Sequence, residues 1–529
     1  MHPYIWRQPN ILIPGIDMPL ITLVSLLGVI AGCLLATRFF RRRRMNLPPG
    51  PGGLSIIYSL LHHFTMDVWL TFTEWKKTYG SLVYFNIGGQ GVLVINDHHT
   101  AAELLSRRAN IYSGRPRWIV ANDFLCGGLF GAFIQFSDVW RSMRRAAHES
   151  VKPVAAEAFH SLQHKQAVWA VREILSSPHD WVNHLKRATT ESAVRFTYGS
   201  RIAAVSVEDR FTSFLKRITL AVTPGSYLVD YFTWMKYLPS IIAPWKRSVE
   251  AHGKADTAYF LRLYKGMKGF VNNDEDASCI SATVAKQQEQ CKLSDLEAAW
   301  VAATLCVAGI DTSVASTMWV VRALAEFPEI QKRAQKELEA VVGHARVPTF
   351  SDRPHLPYID AIIREALRFH PMAPLGIPHV TTKDSVYNGY FIPVGTICLP
   401  NVWGMNHDTK VYGPDADEFK PERHINANGQ LKTFDACPDG HVTYGFGKRI
   451  CVGRHIAQNA MFIDLAILLW ALTIEPLRDA EGKPSLPPLN AISFEGLLVR
   501  PLRFTFNAKP VFPEAYGVLT GALEDMTDE

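Results

Sequence analysis

The chain has 529 residues, 48% of them hydrophobic and 20% charged, with a net charge of +6. That is enough apolar material for a sizeable core and excludes disorder as the default state. Much of the positive excess lies in one arginine tract at residues 38–44, and no basic face with interleaved aromatics exists, so no nucleic-acid partner is expected.

Residues 18–37 carry no charge and are rich in Leu, Ile and Val. At helical rise this length spans a hydrocarbon core of roughly 30 Å. Arg38 and the arginines at 41–44 follow at once and hold the rest of the chain on the cytoplasmic side. Charge follows the run rather than preceding it, and no small-residue cleavage pattern appears, so an uncleaved anchor is favoured over a signal peptide. Leu47-Pro-Pro-Gly-Pro-Gly-Gly53 cannot continue a helix and reads as a stiff elbow. The division is residues 1–46 for anchor and basic stop, 47–53 for the hinge, 54–515 for one globule and 516–529 for an acidic tail.

Residues 82–95 alternate Val83, Phe85, Ile87 and Val92, Val94 around Gly88-Gly-Gln-Gly91, a β-hairpin pattern. No G-x-G-x-x-G opening a helix and no Walker motif occurs, so reducing equivalents for any redox chemistry come from elsewhere. In Trp140-Arg-Ser-Met-Arg-Arg145, Trp140 and Arg144 share one helix face at i, i+4. Residues 224–245 hold Tyr227, Tyr231, Phe232, Trp234, Tyr237 and Trp245 among aliphatic residues; ordinary core and an interfacial membrane contact are both open readings.

Residues 294–325 read as one long central helix, with Ser294 and Glu297 as a capping box and Phe327-Pro328 as its end. Its middle is Ala308-Gly-Ile-Asp-Thr-Ser313. Gly309 costs about 1 kcal/mol against Ala in a helix interior, and Asp311 and Thr312 place polar groups where the pattern is apolar. A local groove explains the three together: Gly309 and Thr312 loosen the backbone ladder, and Asp311 and Thr312 hand on protons. Residues 358–369 form a second helix carrying Glu365 and Arg368 on one face, and Arg423 in Pro421-Glu-Arg-His424 can join them. His379 reads equally as a strand-end residue and as an anion ligand. No H-E-x-x-H, carboxylate facial triad or G-x-S-x-G is present.

The eight cysteines lie scattered, with no C-x-x-C, which argues against a zinc site or disulfide scaffold and suits a reducing compartment. One of them, Cys451, sits among Gly445, Gly447 and Gly453, whose free φ lets the backbone approach a flat ligand. The apolar run 456–472 follows at helical spacing, so the thiol meets the positive end of a helix, which favours thiolate. Arg449 supplies a cation for an acidic group on whatever the thiolate holds.

This stretch, Tyr444-Gly-Phe-Gly-Lys-Arg-Ile-Cys-Val-Gly453, resembles the haem-binding loop of cytochromes P450, with Tyr444 where that loop normally opens on Phe. The hinge, Trp-Arg-x-x-Arg, Ala-Gly-x-Asp-Thr, Glu-x-x-Arg, Pro-Glu-Arg and Cys loop occur in the family's order over residues 47–460. The resemblance implies a mainly α, triangular fold with small β-sheets beside the N-terminal third, and haem b between the central helix and the helix after Cys451. It implies Cys451 as axial iron ligand, Trp140, Arg144, His379 and Arg449 on the haem propionates, and Asp311 with Thr312 as the catalytic proton relay. Glu365, Arg368 and Arg423 would brace the haem loop, with His424 in place of the family's Phe, and Leu305, Ala308, Leu375 and Ile377 would line the substrate pocket. The implied reaction is oxidation of a small lipophilic substrate with dioxygen, driven by an NADPH–cytochrome P450 reductase on the lipid bilayer of the endoplasmic reticulum, with the globule facing the cytosol. Tyr112-Ser-Gly-Arg-Pro116 and Pro224-Gly-x-x-Leu-Val-Asp230 resemble fungal members of secondary metabolism, which suggests a terpenoid, polyketide or indole-derived substrate. A thiolate-haem isomerase or dehydratase and a non-catalytic membrane-tethered haem protein remain as alternatives; the intact Asp311–Thr312 pair argues against both.

Overall fold

The computed structural model describes residues 10–13, 16–19, 45–52, 67–203, 208–272 and 279–526. The chain is mainly helical with small sheets, as the sequence implied. Its organising element is the helix Asp295–Glu326. Ser294 accepts the Glu297 amide and Glu297 accepts the Ser294 amide, the capping box read from the sequence, and Phe327 closes the far end. Every residue from 314 to 325 is buried. Among the described residues this helix alone is long and apolar enough to cross a membrane, but its burial inside the protein marks it as core.

Two large apolar clusters grip the two halves of this helix. Around its first half, Phe130, Phe214, Phe260 and Trp300 interlock edge to face. Around its second half, Val314, Val321 and Leu324 pack with Ile359 and Ile363 of Pro357–Phe369 and with Phe462 and Leu469 of Arg454–Ala471. Each such side chain contributes about 1.5–3 kcal/mol by leaving water.

The hairpin Leu82–Ile87/Gln90–Ile95 forms as predicted, turning on Gly88 and Gly89 at φ 55° and 96°. Gln90–Ile95 pairs in parallel with Ile397–Pro400, which pairs antiparallel with His379–Val380. The sheets are therefore not confined to the N-terminal third. Leu472–Pro476 pairs with Phe506–Pro510, and Ile492–Glu495 forms a hairpin with Leu498–Pro501.

The stiff elbow expected at residues 47–53 is docked on the globule: the Pro49 carbonyl accepts the Tyr84 amide at 2.9 Å and, just before it, the Asn46 carbonyl accepts the Phe391 amide at 2.7 Å. A Cβ on Gly50 would lie 1.9 Å from the Tyr84 carbonyl, so only glycine allows this docking. The C-terminal segment is not a tail, because Ala515–Asp525 is a helix whose Ala515 and Leu519 are buried in the second cluster. Of the expected anchor, Met18 and Pro19 lie in the strand Ile16–Pro19, paired with Asn10–Ile13; residues 20–37, Arg38 and the arginines at 41–44 lie outside the described residues.

Asp464 is the lone acid of the apolar helix Arg454–Ala471 and has no hydrogen-bond or ion-pair partner among the described residues. Burial pushes its pKa up from 3.8 to about 7. A carboxyl raised in the folded state lends stability that is complete below its unfolded pKa and lost as pH rises through about 7. Asp464→Asn is therefore expected to be more stable than the parent, by on the order of 1–3 kcal/mol at pH 8 and by less at pH 5; thermal melts at both pH values check this.

Candidate active site

The 444–453 loop takes its shape from two glycines rather than three. Gly445 and Gly447 adopt φ 80° and 53°, whereas Gly453, at φ −85°, caps the helix Arg454–Ala471. A Cβ on Gly447 would stand 2.2 Å from the Leu105 carbonyl, so glycine lets the loop press onto the Ala102–Arg107 turn. The Cys451 amide donates to the Tyr444 carbonyl at 2.8 Å and closes the loop. Cys451 has free surface, yet protein surrounds its thiol, as expected of a group lining an internal cleft. Burial pushes the thiol pKa up, against the opposing pull of the Gly453 amide, the Arg144 and Arg454 charges and the Arg454 amide. The helix end acts as the sequence suggested, but desolvation outweighs it; thiolate forms when a metal replaces the proton.

The facing wall is a window in the central helix. Ala308 is exposed and Thr304, Leu305, Gly309, Asp311, Thr312 and Ser313 are partly so, between the buried stretches 298–303 and 314–325 of the same helix. A Cβ on Gly309 would meet no protein atom within 4 Å. The expected loosening of the ladder is absent: the helix runs unbroken, and the Thr312 hydroxyl donates to the Ala308 carbonyl at 2.6 Å. That bond adds to the backbone ladder rather than replacing a rung, and leaves the oxygen lone pairs of Thr312 as acceptors. Val452 and Ile456, just beyond Cys451, pack on the cluster that contains Val307 and Ile310, which holds the two walls together.

At one end the cleft is strongly basic. The Arg449 guanidinium donates to the carbonyls of Ser113, Gly131 and Ile134 and lies 4.2 Å from the Trp140 ring centre. Trp140 thus supports Arg449 by stacking, a role the sequence did not indicate. Arg144, one turn along the Asp138–Val151 helix, donates to the Ile450 carbonyl at 2.5 Å. Arg115 donates to the carbonyls of Ala132, Ile377 and Pro378. His379 is buried beside these cations, its Nδ1 on the Tyr112 carbonyl at 2.7 Å. No protein carboxylate pairs with Arg115, Arg144 or Arg449 among the described residues. Burial and mutual repulsion lower Arg449 to about 8 and Arg115 to about 9, and burial with the Arg115 and Arg449 charges drives His379 well below 6.5. Such a cluster calls for a ligand that brings its own negative charges. A planar dicarboxylate held by one thiolate, which describes haem, fits this donor set. Sequence reasoning missed Arg115; the Tyr112–Pro116 stretch drew attention only as family texture, and nothing in it said that an arginine there turns inward.

Behind the loop, Glu365 is fully buried and takes Arg368 through two bonds of 2.8 Å. Arg423 adds a third at 3.0 Å, as predicted. His424 completes the ring with Nε2 at 2.8 Å from Glu365. Burial alone would raise Glu365; the hydrogen bonds from Arg368 and His424 outweigh it and hold the carboxylate far below 4.5. The replacement of the family's Phe is thus a fourth member of the cluster, and Gly440 makes room for it, since a Cβ there would meet His424 at 2.7 Å. Arg368 also ties down the carbonyls of Asn406, Ala416 and Glu418.

Of the four expected pocket residues, Leu305 and Ala308 lie in the helix window. Leu375 packs largely away, against Trp69, Trp319 and Phe72, and Ile377 serves Arg115 through its carbonyl.

The family model for Cytochrome P450 matches residues 48–507. A cytochrome P450 monooxygenase of Armillaria gallica is 41% identical over 93% of this chain and 95% of its own length. Cytochrome P450 monooxygenase 58 of Postia placenta is 38% identical over 92% and 93% of the two chains. Cytochrome P450 monooxygenase iboC of Amanita muscaria is 36% identical over 91% and 94%. Among solved structures, a zebra fish cytochrome P450 with progesterone superposes with a TM-score of 0.71 at 25% identity, covering 84% of this chain and 100% of that one. With a thiol, a helix window and an uncompensated arginine cluster converging on one cleft, and with relatives of this length and identity, the chain belongs to the cytochrome P450 family and is a monooxygenase.

Proposed function

We propose that the protein oxidises a small lipophilic substrate of secondary metabolism, of terpenoid, polyketide or indole type, at the endoplasmic reticulum membrane. Cys451 would hold the iron of haem b; Arg115, Arg144, Arg449 and His379 would take its propionates. Haem bound in this way supplies dioxygen activation, and the thiolate pushes electron density that favours O–O cleavage. Thr312 presents its hydroxyl at the cleft and Asp311 stands one residue away as a proton source. Leu305 and Ala308 line the apolar side against which substrate packs. Electrons would come from an NADPH–cytochrome P450 reductase, since the chain carries no nicotinamide motif of its own. The observation that carries this reading is the cluster of buried arginines with no carboxylate to neutralise them among the described residues.

The test is turnover with NADPH and reductase, with lipophilic extracts as the substrate pool. Thr312→Ala is expected to keep reductase-driven NADPH use while product per NADPH falls about 10-fold or more and peroxide rises. Unchanged coupling would remove Thr312 from proton delivery.

Residues 228–242 support the membrane contact. Tyr231 is 62% exposed, Trp234 62%, Tyr237 75% and Ile241 89%, a patch of the kind that lies at headgroup depth. In vesicles with brominated acyl chains, the full chain is expected to lose several-fold more Trp234 emission than in plain lipid, read as the difference from Trp234→Phe. Equal emission in both lipids would place this segment in water.

A further inference from the structure

Asp311 is not free to act alone. Its Oδ1 lies 3.3 Å from Nη2 of Arg500, and Arg500 Nε lies 3.2 Å from Oε2 of Glu495. Arg500 sits on Leu498–Pro501, the second strand of a hairpin anchored to the central helix, where Trp319 Nε1 donates to the Val499 carbonyl at 3.0 Å. The guanidinium is only 12% exposed, so its charge acts on Asp311 with little screening by water. Both contacts are longer than the usual 2.7–2.9 Å of a charge-assisted bond, and Arg500 Nε is left without a well-aligned partner. Arg500 therefore stands between two carboxylates, an inner one in the cleft and Glu495 at the 47% exposed end.

The hairpin also packs against a second helix. Gly496 turns it at φ 68°, and a Cβ there would come within 2.9 Å of the Thr219 carbonyl on the helix Glu208–Val222. Leu497 packs on the cluster around Phe214 and Trp300. A shift of the Glu208–Val222 helix would move the hairpin and, with it, the cation that faces Asp311.

We propose that Arg500 is a positioning residue for proton delivery: it fixes the direction of the Asp311 carboxylate and links it to the packing of the hairpin against Glu208–Val222. This rests on the reading of Asp311 and Thr312 as the proton-delivery pair. Glu495, on the solvent side, competes for the same guanidinium and gives Asp311 a way to be released.

The experiment uses the full-length haem-loaded protein with reductase and NADPH, and follows peroxide release in H2O and D2O, which needs no substrate. The variants are Asp311→Asn, Arg500→Gln, their double and Arg500→Lys, each first matched for carbon monoxide band and far-UV circular dichroism. Arg500→Gln is expected to change peroxide release at least threefold and to move the solvent isotope effect in the same direction as Asp311→Asn. The double variant should be no worse than either single change, and Arg500→Lys should recover most of the effect. A cycle on thermal unfolding of the same proteins should likewise be non-additive, a readout independent of turnover. If Arg500→Gln leaves the isotope effect at the parent value, or if the two changes simply add, Arg500 does not act through Asp311 and the proposal is overturned while the role of Asp311 stands. If Asp311→Asn itself changes nothing, the proton-delivery reading fails and takes this proposal with it.

Discussion

Cys451→Ala protein, reduced under carbon monoxide, is expected to give none of the red-shifted Soret band that marks sulfur-ligated haem, and its turnover should fall to background. Among the described residues Cys451 is the one cysteine with free surface. The other described cysteines are buried in the packed interior. The substitution removes a single sulfur at a site with free surface, so the fold should survive, and far-UV circular dichroism matching the parent keeps the result interpretable. Cys451→His is the companion variant, since imidazole ligates haem iron without thiolate character. It is expected to retain some haem and still lack the red-shifted band. A parent-like band in either variant would show that the sulfur is not the ligand, and the arrangement of the whole cleft would need another explanation.

Glu365→Gln is expected to cost about 3–5 kcal/mol, enough that little folded, haem-loaded protein accumulates. The change is nearly isosteric; what it removes is charge. Arg368 has no exposed side-chain surface and Arg423 has 6%, so neither guanidinium can turn to water for compensation. Arg368 also binds three carbonyls of residues 406–418, and a loosened Arg368 releases the segment that leads into the Cys loop. Chemical unfolding and haem content of purified protein measure the effect. The pH dependence has a defined sign. A carboxylate held far below 4.5 lends stability that is present above its unfolded pKa and lost as pH falls toward the folded value, so the parent should weaken in acid more steeply than Glu365→Gln. A variant as stable as the parent at pH 7 would mean that the cluster is not carrying an uncompensated charge.

The local readings that held have a common cause. The Ser294–Glu297 capping box, the Gly88-Gly89 hairpin turn and the Glu365–Arg368 pair are all set by residues a few positions apart, where spacing fixes geometry before any tertiary contact forms. The readings that changed depended on what lies across the cleft. Residues 516–529 look acidic in one dimension, but Ala515, Leu519 and Leu523 recur on one helix face and find an apolar surface to cover. The hinge looks like a linker until Gly50 is seen against the Tyr84 carbonyl.

The sequence by itself determined the family and picked out the Cys451 thiol and the polar pair in the central helix, because their chemistry is carried by short motifs whose order along the chain is specific. Only the tertiary structure decided which charges meet. Arg115 comes beside Arg449 from a segment more than three hundred residues away, Arg500 faces Asp311 across a hairpin, and His424 turns inward to Glu365. Electrostatic energy depends on distance and on the exclusion of water, and neither quantity is defined until the chain has folded.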